Sequence, residues 1–348
     1  MNALKKLDSL SKILIDYLNR RVRGRVLPVR LWLEPTNKCN LRCPICPQSA
    51  DNKTPRGFMD KALFRKIIDE AKDFVYDINL SHRGESLFHE DIIDFISYAH
   101  QNGLRTRIHT NGTILTPELS RELILSGLDF LSFSFDGFDK YAYESSRVGA
   151  RFEETLHNIL TFLRIKQELN RKMPFTVIQI INTGTVPDSE FSEKRNNFVR
   201  YFDGLPLNKL YIKDPHNWGG NIKQETAEKL SQNQRYSPCT FCWYALTILW
   251  DGMVVPCPQD FFAQLQVGDL TTQSIKEIWR HSPLVNLRQK FVYQNIAGIS
   301  PCEHCDRLFR RRLFGIPSVN MKEFLAEHMI GYKFLHNFYL KQWKKTGN

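Results

Sequence analysis

Residues 39–46 read CNLRCPIC, three cysteines spaced C-x3-C-x2-C directly after the apolar run 29–38, VRLWLEPTNK. A strand that ends in three close thiols is a poor fit to disulfide pairing, which needs an even number, and to a closed zinc site, which needs four ligands. Three thiolates on one loop suit a metal centre with one coordination position left open. A [4Fe–4S] cube with one free iron meets that description, and so does a catalytic zinc. Pro44 and Pro47 stiffen the loop, while Asn40 and Arg42 offer polar contacts to sulfur.

Working outward, strand and helix patterns alternate from residue 29 onward. Strands are expected at 29–36, 76–82, 105–111, 130–137, 175–182 and 209–216, and helices at 60–72, 90–102, 116–127, 154–169 and 192–204. Six such repeats imply a parallel sheet with covering helices, because parallel strands require crossover connections. The fold class is therefore α/β, a partial (β/α)6 TIM-like barrel, and its chemistry is expected at the C-terminal ends of the strands. The unusual residues gather at those ends: the cysteine loop, His82–Glu85, Thr110–Gly112, Asp136–Gly137, Asn182 and Asp214–His216.

Alternation stops near residue 216, and a polar stretch, 217–235, reads as a linker. Beyond it, Cys239, Cys242, Cys257, Cys302 and Cys305 form a second group. A hairpin turning at Asp251-Gly252 brings the earlier cysteines toward Cys257, and PCEHC adds a thiol pair. By chemistry alone, four of these thiolates form a closed site, either a zinc ribbon or a cluster. The expected organisation is a basic helix at 1–28, the barrel at 29–216, the linker at 217–235, a hairpin-plus-helix domain at 236–310 and a basic tail at 311–348.

The chain of 348 residues is 42% hydrophobic, enough for a sizeable core and too much for general disorder. The thiols fall in two tight groups and no stretch resembles a signal peptide, so a reducing cytoplasmic location is expected. The net charge of +11 sits at the ends. Residues 1–30 hold eight Lys/Arg against two Asp/Glu, and residues 307–348 hold nine against two. Such ends suit an anionic partner such as the inner face of a membrane or a phosphate, or else are solvated helix faces. In the N-terminal helix, Leu4, Leu7, Leu10, Leu14 and Leu18 recur at helical spacing.

The motif CNLRCPIC resembles the signature of the radical S-adenosylmethionine enzymes, although Ile45 stands where an aromatic residue is common. In that family three cysteines hold a [4Fe–4S] cluster whose free iron chelates S-adenosylmethionine. An electron from a donor such as flavodoxin or ferredoxin then cleaves the cofactor to methionine and a 5′-deoxyadenosyl radical. The resemblance makes Cys39, Cys43 and Cys46 the ligands of that cluster. It also suggests cofactor contacts at Gly84 and Glu85 of HRGESLFH, where Arg83 and Ser86 replace the usual Gly and Pro, and at Asn111, Ser134, Asp136 and Arg147. The second group, C-x12-G-x4-C from Cys239 followed by C-x2-C, resembles the SPASM extension, in its shortened twitch form because no cysteine follows Cys305. The resemblance implies an auxiliary [4Fe–4S] cluster on Cys239, Cys257, Cys302 and Cys305, with Cys242 as the alternative first ligand.

The expected function is a radical enzyme of oxidoreductase type acting on a small, sugar-like or lipid-linked substrate. A peptide maturase is the alternative within the family, disfavoured because no separate leader-binding unit of about 80 residues is left over. A zinc-stabilised nucleic-acid-binding module is the alternative from another class. His82, Lys213 and His216, with His109 and Asp214, are the candidates for handling a proton or orienting a substrate.

Overall fold

All six expected strands form, as β1 (Arg30–Leu33), β2 (Asp77–Asn79), β3 (Arg105–Thr110), β4 (Phe130–Ser134), β5 (Phe175–Ile181) and β6 (Lys209–Lys213). The structure is a computed structural model that describes residues 3–51, 53–182, 188–222, 234–313 and 316–317. Helices cross between successive strands: α2 (Lys61–Ala71), α3 (Ile92–Gln101), α4 (Pro117–Leu125), α5 (Lys140–Ser146), α6 (Phe152–Glu168) and α7 (Asp188–Arg200), with α1 (Ala3–Leu18) ahead of the sheet. The short α5 was not expected from sequence; it starts where Asp139 accepts a hydrogen bond from the Ala142 backbone N–H. Asp60 and Thr116 cap α2 and α4 in the same manner.

Strands β1 to β6 pair in parallel and in sequence order. Their apolar residues meet the inner faces of the helices. Phe64 of α2 stacks on Phe95 of α3 with ring centroids 3.9 Å apart, and Phe133 of β4 meets Phe162 of α6 edge-on. Each fully buried ring of this kind contributes about 2–3 kcal/mol of transfer free energy.

The C-terminal region is β7 (Ala245–Ile248), β8 (Met253–Val255) and β9 (Gly268–Asp269), flanked by α8 (Phe241–Tyr244), α9 (Ile275–Arg280) and α10 (Ser282–Val292). The expected hairpin is present, with Thr247 opposite Val255 and Ile248 opposite Val254. Gly252, at φ +93°, supplies the left-handed backbone of its turn. One pairing was not expected: β7 adds in parallel to β1, from Arg30 opposite Ala245 to Leu33 opposite Ile248. The hairpin therefore extends the barrel's own sheet to nine strands, in the order β6-β5-β4-β3-β2-β1-β7-β8-β9.

The described start of the expected linker is packed. Asn217 donates to His304 O at 2.7 Å, and the Trp218 indole donates to Ile45 O at 3.0 Å. Residues 223–233 lie outside the described residues. So does most of the basic tail, of which Arg312–Leu313 and Ile316–Pro317 form a two-stranded ladder, β10 and β11. No helix among the described residues is long and apolar enough to cross a membrane.

Candidate functional site

The cysteine loop leaves β1 and is held from two sides. The Cys46 N–H donates to Cys43 O at 3.0 Å, and the Arg42 N–H donates to Val148 O at 2.9 Å, tying the loop to the segment after α5. The tip of β2 closes in from the other side: the Glu85 N–H reaches Lys38 O at 2.8 Å and the Gly84 N–H reaches Gln48 Oε1 at 3.1 Å. Gly84 has φ +75°, and a Cβ there would meet backbone atoms of Thr36, Asn37 and Lys38 at 2.7 Å. Only glycine permits this approach.

Two side-chain donors face the thiols. The Asn111 amide lies 4.0 Å from Cys39 Sγ and also donates to Asn40 Oδ1 at 3.0 Å. The Arg147 guanidinium lies 4.0 Å from Cys43 Sγ and pairs with the buried Asp136 carboxylate at 2.5 Å. Asp136 also accepts from the Ile181 N–H at 2.7 Å. Burial pushes the Cys39 thiol up to about 11 and the Cys46 thiol up to about 12. Burial raises Cys43 as well, with Arg147 pulling the other way. Thiols that are buried or half-buried and resist ionisation by themselves become good ligands when a cation lies between them. A cubane bound through soft thiolates, with N–H donors at its sulfurs, fits this donor set.

The other sequence-predicted residues divide. Asn111, Arg147 and Asp136 join the cysteine loop, and Ser134 ends β4 beside them in the sheet. The Glu85 carboxylate is buried and accepts from the Asn111 N–H at 2.7 Å and the Leu87 N–H at 3.2 Å, so it ties the β2 tip to the β3 tip. Lys213, at the end of β6, sits over the Tyr211 ring. His216 packs edge-on against Trp218, and burial together with Arg307, Arg310 and Lys213 holds it well below the usual histidine range, hence neutral. His109 packs against Phe130.

His82 belongs to a cluster that sequence reading missed. Glu34 follows β1, is buried, and accepts from Arg83 Nε at 2.6 Å and Arg83 Nη2 at 2.7 Å. It also faces His82 Nδ1 at 3.0 Å, while His82 Nε2 faces Pro258 O at 3.0 Å and Arg83 Nη1 donates to Phe261 O at 3.2 Å. The two ring nitrogens of His82 face oxygen atoms of two different segments. The cluster thus bolts the ends of β1 and β2 to the segment directly after Cys257. A glutamate closing an otherwise apolar strand run was the available signal.

The five later thiols lie together, Cys239 half-buried and the other four buried. Cys242 is hydrogen-bonded to Cys239, which holds the Cys239 thiol below its ordinary value and Cys242 well above. Burial raises Cys257, Cys302 and Cys305, the last to about 11, and in each the neighbouring thiols add to the rise. Among the described residues, no three His, Cys, Asp or Glu side chains converge tightly enough to hold a single metal ion. An iron–sulfur cube instead takes its thiolates on separate irons.

Comparison with known proteins agrees with these two groups. Residues 33–193 match the family model described as the radical SAM superfamily, and residues 239–306 match that of the SPASM iron–sulfur cluster-binding domain. Among curated relatives, the tungsten-containing aldehyde ferredoxin oxidoreductase cofactor-modifying protein of Pyrococcus furiosus is 23% identical over 79% of this chain and 88% of its own. The AdoMet-dependent heme synthase of Nitratidesulfovibrio vulgaris is 24% identical over 78% and 83%, and the PqqA peptide cyclase of Gluconobacter oxydans 21% over 80% and 83%. Among solved structures, BtrN in complex with AdoMet and 2-DOIA superimposes with a TM-score of 0.53 at 19% identity, covering 80% of this chain and 93% of that one. Streptococcus suis SuiB bound to precursor peptide SuiA gives a TM-score of 0.60 at 16% identity, covering 87% and 74%.

Proposed function

We propose that this chain, which belongs to the radical SAM superfamily and carries a SPASM iron–sulfur domain, uses Cys39, Cys43 and Cys46 to hold a [4Fe–4S] cluster that binds S-adenosylmethionine. Bound there, cluster and cofactor supply a one-electron cleavage that yields methionine and a 5′-deoxyadenosyl radical able to abstract hydrogen from a substrate. The observation that carries the assignment is the pair of N–H donors, Asn111 and Arg147, each 4.0 Å from a thiol of the three-cysteine loop. Asp136 holds the Arg147 guanidinium in place, and Gly84 lets the β2 tip close on the loop.

Cys239, Cys257, Cys302 and Cys305 hold the second cluster in this reading, and Cys242 is a buried core residue beside them. That site supplies an acceptor for the electron of a substrate radical, which makes the reaction oxidoreductase-type, with a flavodoxin or ferredoxin as the outside reductant. His82, Arg83 and Glu34 hold the two sites in register. We take the substrate to be a small molecule, since two relatives that match over most of the chain are named for heme synthesis and cofactor modification. Peptide modification is the second reading, favoured by the relative named a peptide cyclase.

Anaerobic purification with metal and product analysis tests the assignment. The expected result is a brown protein with about eight irons per chain that releases 5′-deoxyadenosine when reduced with S-adenosylmethionine. Cysteine-to-serine change at Cys39, Cys43 or Cys46 should abolish that release, whereas change at Cys302 should leave uncoupled cleavage. A colourless protein holding zinc overturns the reading.

A further inference from the structure

Among the described residues, helix α1 buries one stripe and leaves a second stripe bare. Leu10, Ile13 and Tyr17 are buried, the first two in a cluster with Val29 and Tyr76, the residues just ahead of β1 and β2. Leu4, Leu7, Leu14, Ile15 and Leu18 are between 41 and 78% exposed. At about 100° per residue these five and Ser11 share one arc of about 100°, beside the buried stripe. The leucine repeat seen in the sequence is therefore mostly the outward face.

We propose that this face docks on a membrane surface rich in anionic phospholipid. Charge complementarity selects that occupant over a second copy of the chain: residues 1–30 carry eight Lys/Arg against two Asp/Glu, so two such ends would repel. Lys5 and Lys12 lie along the side of the arc away from the buried stripe, with Lys12 paired to Asp8 at 2.6 Å, and the exposed Arg21, Arg23 and Arg25 follow the helix. An apolar face with a net excess of cations on one side and at the helix end is the pattern of a helix that lies in the lipid interface.

The helix is also anchored firmly enough to carry the rest of the molecule. Tyr17 donates to Pro238 O at 3.0 Å, Trp243 to Arg21 O and Trp279 to Val26 O at 2.8 Å each, and the buried Asp16 accepts from Arg25. Because Val29 and Tyr76 precede their strands, α1 lies at the end of the sheet opposite the cysteine loop. Docking would leave that loop toward the water, so substrate arrives from the aqueous side.

Co-sedimentation of the full-length holoprotein with vesicles tests this. Binding is expected to vesicles of phosphatidylglycerol with phosphatidylcholine, not to phosphatidylcholine alone, and should weaken as salt rises. The triple change Leu7→Gln, Leu14→Gln and Leu18→Gln should weaken binding about tenfold or more while iron content and 5′-deoxyadenosine release stay unchanged. Arg23→Glu, which leaves the leucines in place, should also weaken binding. Absence of binding to anionic vesicles, or equal binding by the triple variant, overturns the proposal. So does a dimer in sedimentation velocity that the triple change splits, which would assign the face to a second copy. A lowered melting temperature in the triple variant, without vesicle binding by the wild type, would assign the face to the chain's own residues.

Discussion

Glu34 and Arg83 meet in a two-pronged ion pair, 2.6 and 2.7 Å between nitrogen and oxygen, with both side chains buried. The pair stands where the radical SAM strand end adjoins the SPASM segment, and the third member, His82, completes the bridge to Pro258.

Breaking that pair should cost much of the protein's stability, because removing one partner strands the other charge in the interior. Glu34→Gln is expected to destabilise by about 3–5 kcal/mol, read as a lowered urea midpoint of the anaerobic apoprotein. A loss below about 1 kcal/mol would show that Arg83 and His82 hold the joint without it.

The same residue sets an acid limit. Burial favours the neutral acid, but the Arg83 and His82 hydrogen bonds outweigh it and hold the Glu34 carboxyl at about 2. A folded value below the unfolded one stabilises above the unfolded value and loses that contribution as pH falls through the folded value. The stability gap between wild type and Glu34→Gln should therefore shrink by about 3 kcal/mol as pH drops from about 4.5 to about 2. A gap constant across that window would contradict the assignment.

Gly84→Ala should empty the first site and spare the second. The added methyl would lie 2.7 Å from three backbone atoms of the segment leading to Cys39, so the β2 tip must withdraw from the cysteine loop. Iron is expected to fall by about half, from roughly eight to roughly four per chain. Retention of all the iron would mean that the loop keeps its shape without the β2 tip.

Cys239 and Cys242 should behave differently although they lie three residues apart. Cys242 is packed in the hydrophobic core, whereas Cys239 is half-buried at its edge, so Cys242→Ser should keep the auxiliary iron. Cys239→Ser should lose about four irons. The reverse outcome would exchange their roles.

Lys166 of α6 is buried and donates to Pro174 O at 2.7 Å, Thr176 Oγ1 at 2.9 Å and Pro206 O at 3.3 Å, joining α6 to β5 and to the approach to β6. Lys166→Met leaves those acceptors dry and should destabilise by about 2–4 kcal/mol, again read from urea midpoints. An unchanged midpoint would mean that water replaces the ammonium.

Much of this was legible from the chain alone. The six strand candidates became β1 to β6, since an apolar run between polar turns needs no distant partner to be recognised. The two thiol groups were equally visible, because their spacing is a property of short segments. The contacts of the polar stretch were not legible: Asn217 and Trp218, at its start, hold the Cys302–His304 turn and the cysteine loop. Nothing local in their sequence indicates those partners. The partners of the Glu85 carboxylate, the backbone N–H groups of Asn111 after β3 and of Leu87 in its own turn, were likewise not readable from sequence.

Sequence by itself determined the class of chemistry and the α/β architecture, because thiol spacing and strand–helix alternation are written within stretches of ten or twenty residues. Tertiary structure alone decided that β7 joins β1, that Glu34 binds Arg83 and His82, and that α1 turns its leucines outward. Those outcomes depend on contacts between segments tens to hundreds of residues apart, where burial and charge pairing in three dimensions choose among faces that local patterning leaves equal.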